Sequence, residues 1–285
     1  MSIIDSRFPD CGVTALGSGS RGNAFLIHCG GDSLLIDAGF SRAELCRRME
    51  QVGVDPASVR AVLLTHEHED HSRGIRVFCD QLDIPLCASG RTVEYLRGGD
   101  RKLPCKVLEF QSGEPFRYGV FHILPFSVRH DAIDPVGFRI SVYDHTFGVA
   151  TDIGLLTQLA ADRLTDCDAL IFESNYDQQM LVNSDRSLSL KRRIMGHNGH
   201  LNNVDSMAAL ARLLTERTQL VLFAHISREC NDYNLVRTLA KETFSRLGRH
   251  DIEWAVVEQE APLPTFSLHG FWQKTTCRAA GENLL

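Results

Sequence analysis

The sequence predicts an α/β protein with four layers, in which two β-sheets pack between two layers of helices. The chain has two strand-rich halves, and each half ends in amphipathic helices. No linker rich in Pro and Ser divides the 285 residues, and no repeat with a period of about 20–50 residues is visible. We therefore expect residues 1–260 to form one domain, followed by a C-terminal tail at 261–285 for which no structure is predicted.

The front half alternates short apolar runs with glycine-rich turns. This pattern predicts strands at 13–16, 25–28, 33–37 and 60–65. Ser41 followed by Glu44 predicts a capping box at the start of a helix that ends at Gly53. A second helix is predicted at 72–81. Because the run at 60–65 is almost continuously apolar, we expect it to be a buried strand.

The second half shows strand patterning from residue 116 to residue 150, with a turn at 143–145. After residue 150, predicted strands alternate with predicted helices. The strands are expected at 169–173, 220–225 and 252–258, and the helices at 155–164, 204–216 and 231–247. These helices supply the second outer layer of the predicted architecture.

The composition is that of a globular protein, with 44% hydrophobic and 23% charged residues, which excludes a fibrous or disordered chain. The sequence contains no apolar run of about 18 residues, so it predicts no membrane-spanning helix. Residues 1–10 lack the apolar core of a secretory leader. The net charge of −6 argues mildly against a broad nucleic-acid-binding face. This formal count overstates the free negative charge if some carboxylates hold metal ions.

Nine cysteines are present, and no two of them form a Cys-X-X-Cys pair. The odd number disfavours a disulfide framework, and the spacing disfavours a zinc ribbon. We expect most of these cysteines to be small core residues and the protein to reside in the reducing cytoplasm.

The strongest functional signal is a cluster of histidines and carboxylates that directly follows the predicted strand at 60–65. It reads His66, Glu67, His68, Glu69, Asp70 and His71. Imidazole and carboxylate groups bind zinc, iron and manganese, and side chains of this kind are rarely crowded together without a cation. Alternate residues leaving a strand point the same way, so His66 and His68 can share one ion while Asp70 and His71 reach a second. The alternative is a solvated polar loop.

One loop cannot complete two metal shells, so further ligands are expected at the ends of other strands. Three candidates follow apolar runs: His130 after 123–128, Asp152 after 147–151 and His225 after 220–224. Open sheets place functional groups at such positions. A single histidine at a strand end is more often a surface or capping residue, but beside the cluster these three side chains favour a metal site.

These motifs, in this order, resemble the metallo-β-lactamase-fold superfamily and, within it, the WalJ/YycJ-like subgroup. The superfamily motifs are Asp37 in LLIDAG, the His-X-His-X-Asp-His segment, and the three strand-end residues. The resemblance to the subgroup rests on GSGSRGN, ATDIG, ESNYD, GHNGHLNN and AHIS, which span about residues 13–230. Tyr176, Asn202 and Cys230 depart from the subgroup pattern, and they leave the substrate preference open.

The resemblance implies the αββα sandwich and two divalent metal ions, zinc or manganese, with iron as a further candidate. The implied ligands are His66, His68 and His130 for one ion, Asp70, His71 and His225 for the other, and Asp152 as a bridge. Asp37 would orient the metal-binding loop without being a ligand. The subgroup implies DNA exonuclease activity at 5′ ends and a link to DNA repair proteins.

Further residues are candidates for contact with substrate. The hydroxyl-rich turn at 17–23 carries Ser18, Ser20, Arg21 and Asn23, and it can either hold phosphate oxygens or be only a tight turn that needs positive φ. His200 resembles a histidine that assists the leaving group in RNA-processing relatives, with His197 as a weaker competitor. Asn175 is expected on the same rim. A basic group at 186–193 indicates either a phosphate track or an exposed helix face.

The predicted function is a binuclear metal-dependent phosphodiester hydrolase, most specifically a DNA exonuclease acting on 5′ ends. In this prediction a hydroxide between the metals attacks phosphorus, Asp70 and Asp152 hold it in line, and His200 stabilises the developing charge. One alternative is a small-molecule metallohydrolase acting on a cyclic phosphodiester, thioester or lactone. Another is a non-catalytic metal-binding module, which the complete ligand set disfavours.

Overall fold

The computed structural model describes residues 10–99 and 102–268. Residues 1–9, within the segment where no secretory leader is expected, lie outside this part of the chain. So do residues 269–285, which make up most of the predicted tail. Among the described residues, no helix combines the length and the apolar character needed to cross a lipid bilayer.

The first sheet has seven strands and is formed mainly by the front half of the chain. Its strands are β1 (Cys11–Gly17), β2 (Ala24–Cys29), β3 (Asp32–Ile36), β4 (Val59–Leu63), β5 (Leu86–Ser89), β6 (Val107–Phe110) and β14 (Phe266–Leu268), in the order β14-β1-β2-β3-β4-β5-β6. β3 to β6 run parallel to one another. β14 pairs with β1, so the sheet extends beyond residue 260 into the segment without sequence periodicity.

The second sheet also has seven strands. They are β7 (Phe116–Tyr118), β8 (Phe121–Ser127), β9 (Val136–Val142), β10 (His145–Ala150), β11 (Ala169–Glu173), β12 (Leu220–Ala224) and β13 (Glu253–Val256), in the order β13-β12-β11-β10-β9-β8-β7. The strands from β10 to β13 are parallel, so their carboxyl ends lie along one edge of the sheet.

Helices cover the outer faces of both sheets. They are α1 (Arg42–Gln51), α2 (Glu69–Ser72), α3 (Ile75–Leu82), α4 (Gly90–Gly98), α5 (Gln158–Leu164), α6 (Gln178–Asn183), α7 (Leu188–Met195), α8 (Asn203–Leu213) and α9 (Tyr233–Arg246). Helices α1, α3 and α4 pack on the first sheet, and α5, α8 and α9 pack on the second. The predicted four-layer αββα architecture is confirmed.

The same strands contribute to two kinds of hydrophobic core, one between the sheets and one between each sheet and its helices, because side chains alternate along a strand. In β2, Phe25 and Ile27 point between the two sheets, whereas Leu26 points towards the helices. This follows from the two-residue period of a strand. Strands covered on both faces need apolar residues throughout, which explains the continuous apolar runs in the sequence.

Two local predictions differ from the structure. Ser41 accepts a hydrogen bond from the Glu44 backbone N–H at 3.3 Å, but the Glu44 carboxylate pairs with Arg47 and Arg48, so only half of the predicted capping box forms. The helix predicted at 72–81 is divided into α2 and α3, and α3 begins only after Gly74.

Cys11 of β1 and Cys29 of β2 are joined by a disulfide bond, although the odd number of cysteines disfavoured a disulfide framework. The two residues are direct partners across the antiparallel strand pair, where side chains come close. The register of β1 against β2 brings these two cysteines together, and this register cannot be deduced from the number of cysteines. The other six cysteines of the described residues are free.

Candidate metal centre

The structure brings all seven predicted metal ligands together at one edge of the sandwich. The loop between β4 and α2 supplies His66, His68, Asp70 and His71, and His130, Asp152 and His225 follow β8, β10 and β12. Their ligand atoms form overlapping groups in which all atoms lie within 4.8 Å of one another. Both sheets therefore contribute to one cluster.

Three polar residues that follow strands have a left-handed backbone. The φ angles of Asp37, Asp152 and His225 are 58°, 56° and 55°. Residues other than glycine adopt this conformation at a cost of about 1–3 kcal/mol, and such strain concentrates at functional sites. The abrupt change in chain direction lets a residue at the end of a buried strand project into the cluster. These are three of the six non-glycine residues with positive φ in the described part of the chain.

His66, His68 and His130 form the first subsite. The Nε2 atom of His66 lies 3.0 Å from Nδ1 of His68, and Nε2 of His130 lies 3.3 Å from the same atom. His130 donates through Nδ1 to the Gly199 carbonyl at 3.1 Å. The Thr65 hydroxyl lies 3.0 Å from His66 Nδ1 and donates to Asp37. These contacts place the lone pairs of His66 and His130 towards the centre of the subsite.

Asp70, His71 and His225 form the second subsite. His71 Nδ1 lies 2.7 Å from Asp37 Oδ2, which directs Nε2 towards Asp70 Oδ2 at 3.6 Å and Asp152 Oδ2 at 3.2 Å. His225 Nε2 lies 3.5 Å from Asp70 Oδ2. Asp152 also approaches His130 of the first subsite, at 3.7 Å. It therefore stands between the two subsites.

The chemistry of the cluster fits divalent metal ions. Asp152 Oδ2 and His225 Nε2 are buried, and neither atom has a hydrogen-bond partner. Buried polar atoms without partners are costly. In the first subsite, three imidazole nitrogens converge on one point without a shared acceptor. Metal ions would satisfy these atoms, and the mixed nitrogen and oxygen donors suit zinc, manganese or iron.

The two subsites have opposite electrostatics. Burial lowers the pKa of His66 well below its ordinary value and also lowers the pKa of His130, so both rings are neutral at pH 7. Burial acts in the same direction on His71 and His225. There the nearby carboxylates, with Asp152 the largest contributor, raise the pKa of His71 well above its ordinary value and that of His225 to about 10. A cation entering the second subsite must therefore displace protons.

Glu173 is a site residue that the sequence analysis did not assign. It ends β11 and is fully buried. Its Oε1 atom lies 2.8 Å from His200 Nδ1 and 2.9 Å from His225 Nδ1. Its Oε2 atom accepts hydrogen bonds from two backbone N–H groups, those of Ile153 and Leu201. One carboxylate therefore orients both histidines, and its position at a strand end was the available signal.

His200 lies beside the ligands in the loop between α7 and α8. Its ring centroid is 5.1 Å from those of His130 and His225. An open pocket lies over the ligand cluster, here called the central pocket, and His200 lines it together with Asp70 and Asp152. His197, from the same loop, is not among the residues that line this pocket. The geometry therefore favours His200 over its competitor.

Three residues predicted to bind substrate are buried next to the ligands. The Ser18 hydroxyl accepts from the His225 backbone N–H at 2.7 Å, and Asn23 Nδ2 lies 3.0 Å from His71 Nε2. Asn175 Nδ2 donates to the His225 carbonyl at 2.7 Å. These three side chains are enclosed and engaged with the histidines, so any contact of theirs with a substrate stays a prediction.

The remaining two predicted substrate residues differ in position from those three. Ser20 lines the central pocket, and Arg21 is exposed on the same turn. Both are accessible to a substrate, so their role stays a prediction.

The basic group lies along α7 and the segment before it, at one wall of the pocket. Arg186 and Arg193 line the pocket and pair with Glu229 and Asp131. Lys191 donates to two backbone carbonyls, so it is engaged away from the pocket. Two guanidinium groups thus border the predicted reaction site, and acidic partners hold each of them.

Solved structures with the same fold span almost the whole chain. The metallo-beta-lactamase fold protein YhfI from Bacillus subtilis superposes with a TM-score of 0.68 and 20% identity, covering 89% of this chain and 99% of that one. A diphosphatase from the PhnP family superposes with a TM-score of 0.63 and 16% identity, covering 91% of this chain and 98% of that one. At these identities the similarity establishes the fold.

The chain belongs to the beta-lactamase superfamily, because the model of the beta-lactamase superfamily domain matches residues 33–226. It is 32% identical over 243 residues to exodeoxyribonuclease WalJ of Streptococcus pneumoniae, covering 83% of this chain and 88% of that protein. It is 30% identical over 241 residues to exodeoxyribonuclease YycJ of Bacillus anthracis, covering 82% and 89%. The predicted family is confirmed, and the chain is a metal-dependent hydrolase of this fold.

Proposed function

We propose that the chain is a binuclear metal-dependent DNA exonuclease that acts on 5′ ends. The observation that carries this proposal is the pair of adjacent subsites, joined by Asp152, at the base of an open pocket beside His200. Similarity to two proteins named exodeoxyribonucleases supports DNA as the substrate. The polarity rests on the resemblance to the WalJ/YycJ-like subgroup.

His66, His68 and His130 would hold one ion, and Asp70, His71 and His225 the other, with Asp152 shared. When bound, the two ions would neutralise phosphate charge and lower the pKa of a water molecule to about 7. Asp37 fixes the tautomer of His71 through its contact with Nδ1. Thr65 connects that carboxylate to His66, so one buried group supports both subsites.

Glu173 and His200 would act on the leaving group. The carboxylate holds Nδ1 of His200 at 2.8 Å, which fixes the orientation of the ring and leaves Nε2 as the ring nitrogen available to a substrate. A donor at Nε2 can supply a hydrogen bond or a proton to the departing oxygen of a phosphodiester. His200 is partly exposed in the pocket, as a group that meets substrate must be.

The wall formed by α7 would contact the DNA backbone. Arg186 and Arg193 present guanidinium groups, which bind phosphate oxygens in a planar, bidentate manner. Leu190 and Ile194 line the same wall and offer apolar contacts to a sugar or base. Glu229 and Asp131 pair with these two arginines, so a phosphate bound at this wall would share or replace those ion pairs.

The test is a nuclease assay on duplex DNA labelled at either the 5′ or the 3′ end. The protein is first stripped of metal, and zinc or manganese is then added, with the Asp70→Ala variant assayed in parallel. Metal-restored release of short products from the 5′ end, absent in the variant, is the expected result. Release from the 3′ end would overturn the polarity.

No cleavage of DNA with either metal would overturn the DNA exonuclease proposal and favour a small phosphodiester, thioester or lactone. Salt dependence separates these substrate classes, since contacts with several phosphates of a polymer release counterions. We expect activity on DNA to fall steeply as salt rises from low to physiological concentration.

A further inference from the structure

The 17–23 turn is tied to both histidines of the second subsite through its buried residues. Ser18 accepts from the His225 backbone N–H at 2.7 Å, and Asn23 Nδ2 lies 3.0 Å from His71 Nε2. The Ser18 hydroxyl donates to Asn23 Oδ1 at 2.7 Å, so the two contacts form one connected unit. Any shift of the turn would be passed to both ligands at once.

Gln259, which follows β13, holds this turn from behind. It is only 4% exposed. Its Oε1 atom accepts from the Arg21 backbone N–H at 2.8 Å, and its Nε2 atom donates to the Gly22 carbonyl at 2.9 Å. Arg48 adds a second brace by donating to the carbonyls of Leu16 and Gln259 at 2.7 and 2.9 Å. The donor and the acceptor of this glutamine amide are both engaged by the turn.

The turn fits closely against the glutamine side chain. Gly19 has φ of +146°, and a Cβ atom there would lie 2.7 Å from Gln259 Oε1. Only glycine combines that backbone conformation with so short an approach. The glutamine side chain, 238 positions after Arg21, thus packs directly against the glycine-rich turn.

We propose that Gln259 is a positioning residue for the second metal ion and acts through the 17–23 turn on His71 and His225. The inference rests on the proposed binuclear centre. Among the described residues, the side chains of His66, His68 and His130 make no hydrogen bond to the turn. Loss of the brace should therefore weaken the second ion selectively and leave the first in place.

The test is a metal titration of stripped protein, followed by the absorption of bound cobalt(II) and by calorimetry with zinc. Wild type should bind two equivalents. Gln259→Leu keeps the volume of the side chain but removes both amide contacts, and we expect about 10- to 100-fold weaker binding of the second equivalent with the first unchanged. A general loss of stability would not produce this selective change.

Gln219→Leu is the matched control. Gln219 is a similarly buried glutamine that immediately precedes β12, at the opposite end of that strand from His225. It should retain both equivalents with wild-type affinity. If Gln259→Leu does not fold, Ser18→Ala removes the contacts with the His225 backbone N–H and with Asn23 and leaves the glutamine in place, and it should show the same selective loss.

The outcomes distinguish the role of Gln259 from the existence of the binuclear centre. Equal weakening of both ions in Gln259→Leu, or unchanged binding of both, would overturn the role of Gln259. So would full affinity for the second ion in Ser18→Ala. Wild-type protein that takes up only one equivalent would instead overturn the proposed binuclear centre.

Discussion

Glu173 and Asp152 are buried carboxylates with different tasks at neighbouring strand ends. Each oxygen of Glu173 is already engaged, Oε1 by two histidine rings and Oε2 by two backbone N–H groups. Asp152 has one oxygen with no hydrogen-bond partner, as a metal ligand requires. The pattern of satisfied and unsatisfied atoms thus distinguishes a residue that orients from a residue that binds.

Glu173→Gln should lower turnover by about 10- to 100-fold without unfolding the protein. The glutamine amide has only one acceptor oxygen, whereas both oxygens of the carboxylate accept hydrogen bonds. Its NH₂ group must therefore face either the two histidine N–H groups or the two backbone N–H groups, and in either orientation donors face donors. Steady-state kinetics on DNA and metal content measure the effect. Glu109→Gln, at an exposed position on β6, is the control and should behave as wild type. Wild-type turnover in Glu173→Gln would contradict the assigned role.

Asp152→Ala should abolish turnover while the protein stays folded. The change removes the shared ligand between the subsites and also the carboxylate that contributes most to the raised pKa of His71 and His225. Circular dichroism should remain like that of wild type, whereas metal analysis should show loss of bound ions. Full activity in a folded variant that lacks metal would exclude the proposed mechanism.

At the scale of elements, the sequence predicted those strands and helices whose own residues carry a clear apolar pattern. Strand β14 has only three residues and forms by pairing with β1, so its own sequence could not reveal it. The predicted ligands follow apolar runs, which made them visible. Glu173 also ends a strand, but a single glutamate is common there. The roles of Ser18 and Asn23 depend on contacts with residues about 50 or more positions away, which no local pattern contains.

A histidine between two hydroxyl groups in the first sheet predicts a pH dependence of stability that does not involve the metal centre. His28 of β2 lies 2.7 Å from Thr14 Oγ1 through Nε2 and 2.8 Å from Ser33 Oγ through Nδ1. Burial lowers the pKa of His28 from 6.5 to about 4. The folded state therefore favours the neutral ring, whereas the unfolded chain takes up a proton near pH 6.5. The stability contributed by His28 is complete above pH 6.5 and is lost as the pH falls towards 4.

His28→Gln should reduce the dependence of stability on pH between 7 and 4.5. Because one pKa unit corresponds to about 1.4 kcal/mol, wild type should lose on the order of 2–3 kcal/mol more than the variant over this range. Urea unfolding of metal-free protein at both pH values measures the difference. The histidines of the metal centre titrate in both proteins, so their contribution cancels in the comparison. Parallel losses in the two proteins would contradict the assigned pKa.

At the scale of the whole molecule, the metal centre joins the two sheets. The loop that carries four of the ligands follows β4 of the first sheet, whereas His130, Asp152 and His225 follow strands of the second sheet. Bound ions would therefore connect both halves of the sandwich in addition to the core between them. Because the unfolded chain does not hold these residues together, metal affinity contributes directly to the free energy of unfolding.

Removal of metal should lower the melting temperature by roughly 10 °C. An ion at about 1,000 times its Kd stabilises the folded state by about 4 kcal/mol, and each kcal/mol shifts the melting temperature of a protein this large by about 2–4 °C. Thermal unfolding with and without a chelator measures the shift. In Asp152→Ala the chelator should have little effect, because the ions are already absent. An equal shift in wild type and variant would mean that the chelator acts elsewhere and that these ligands do not hold the stabilising ions.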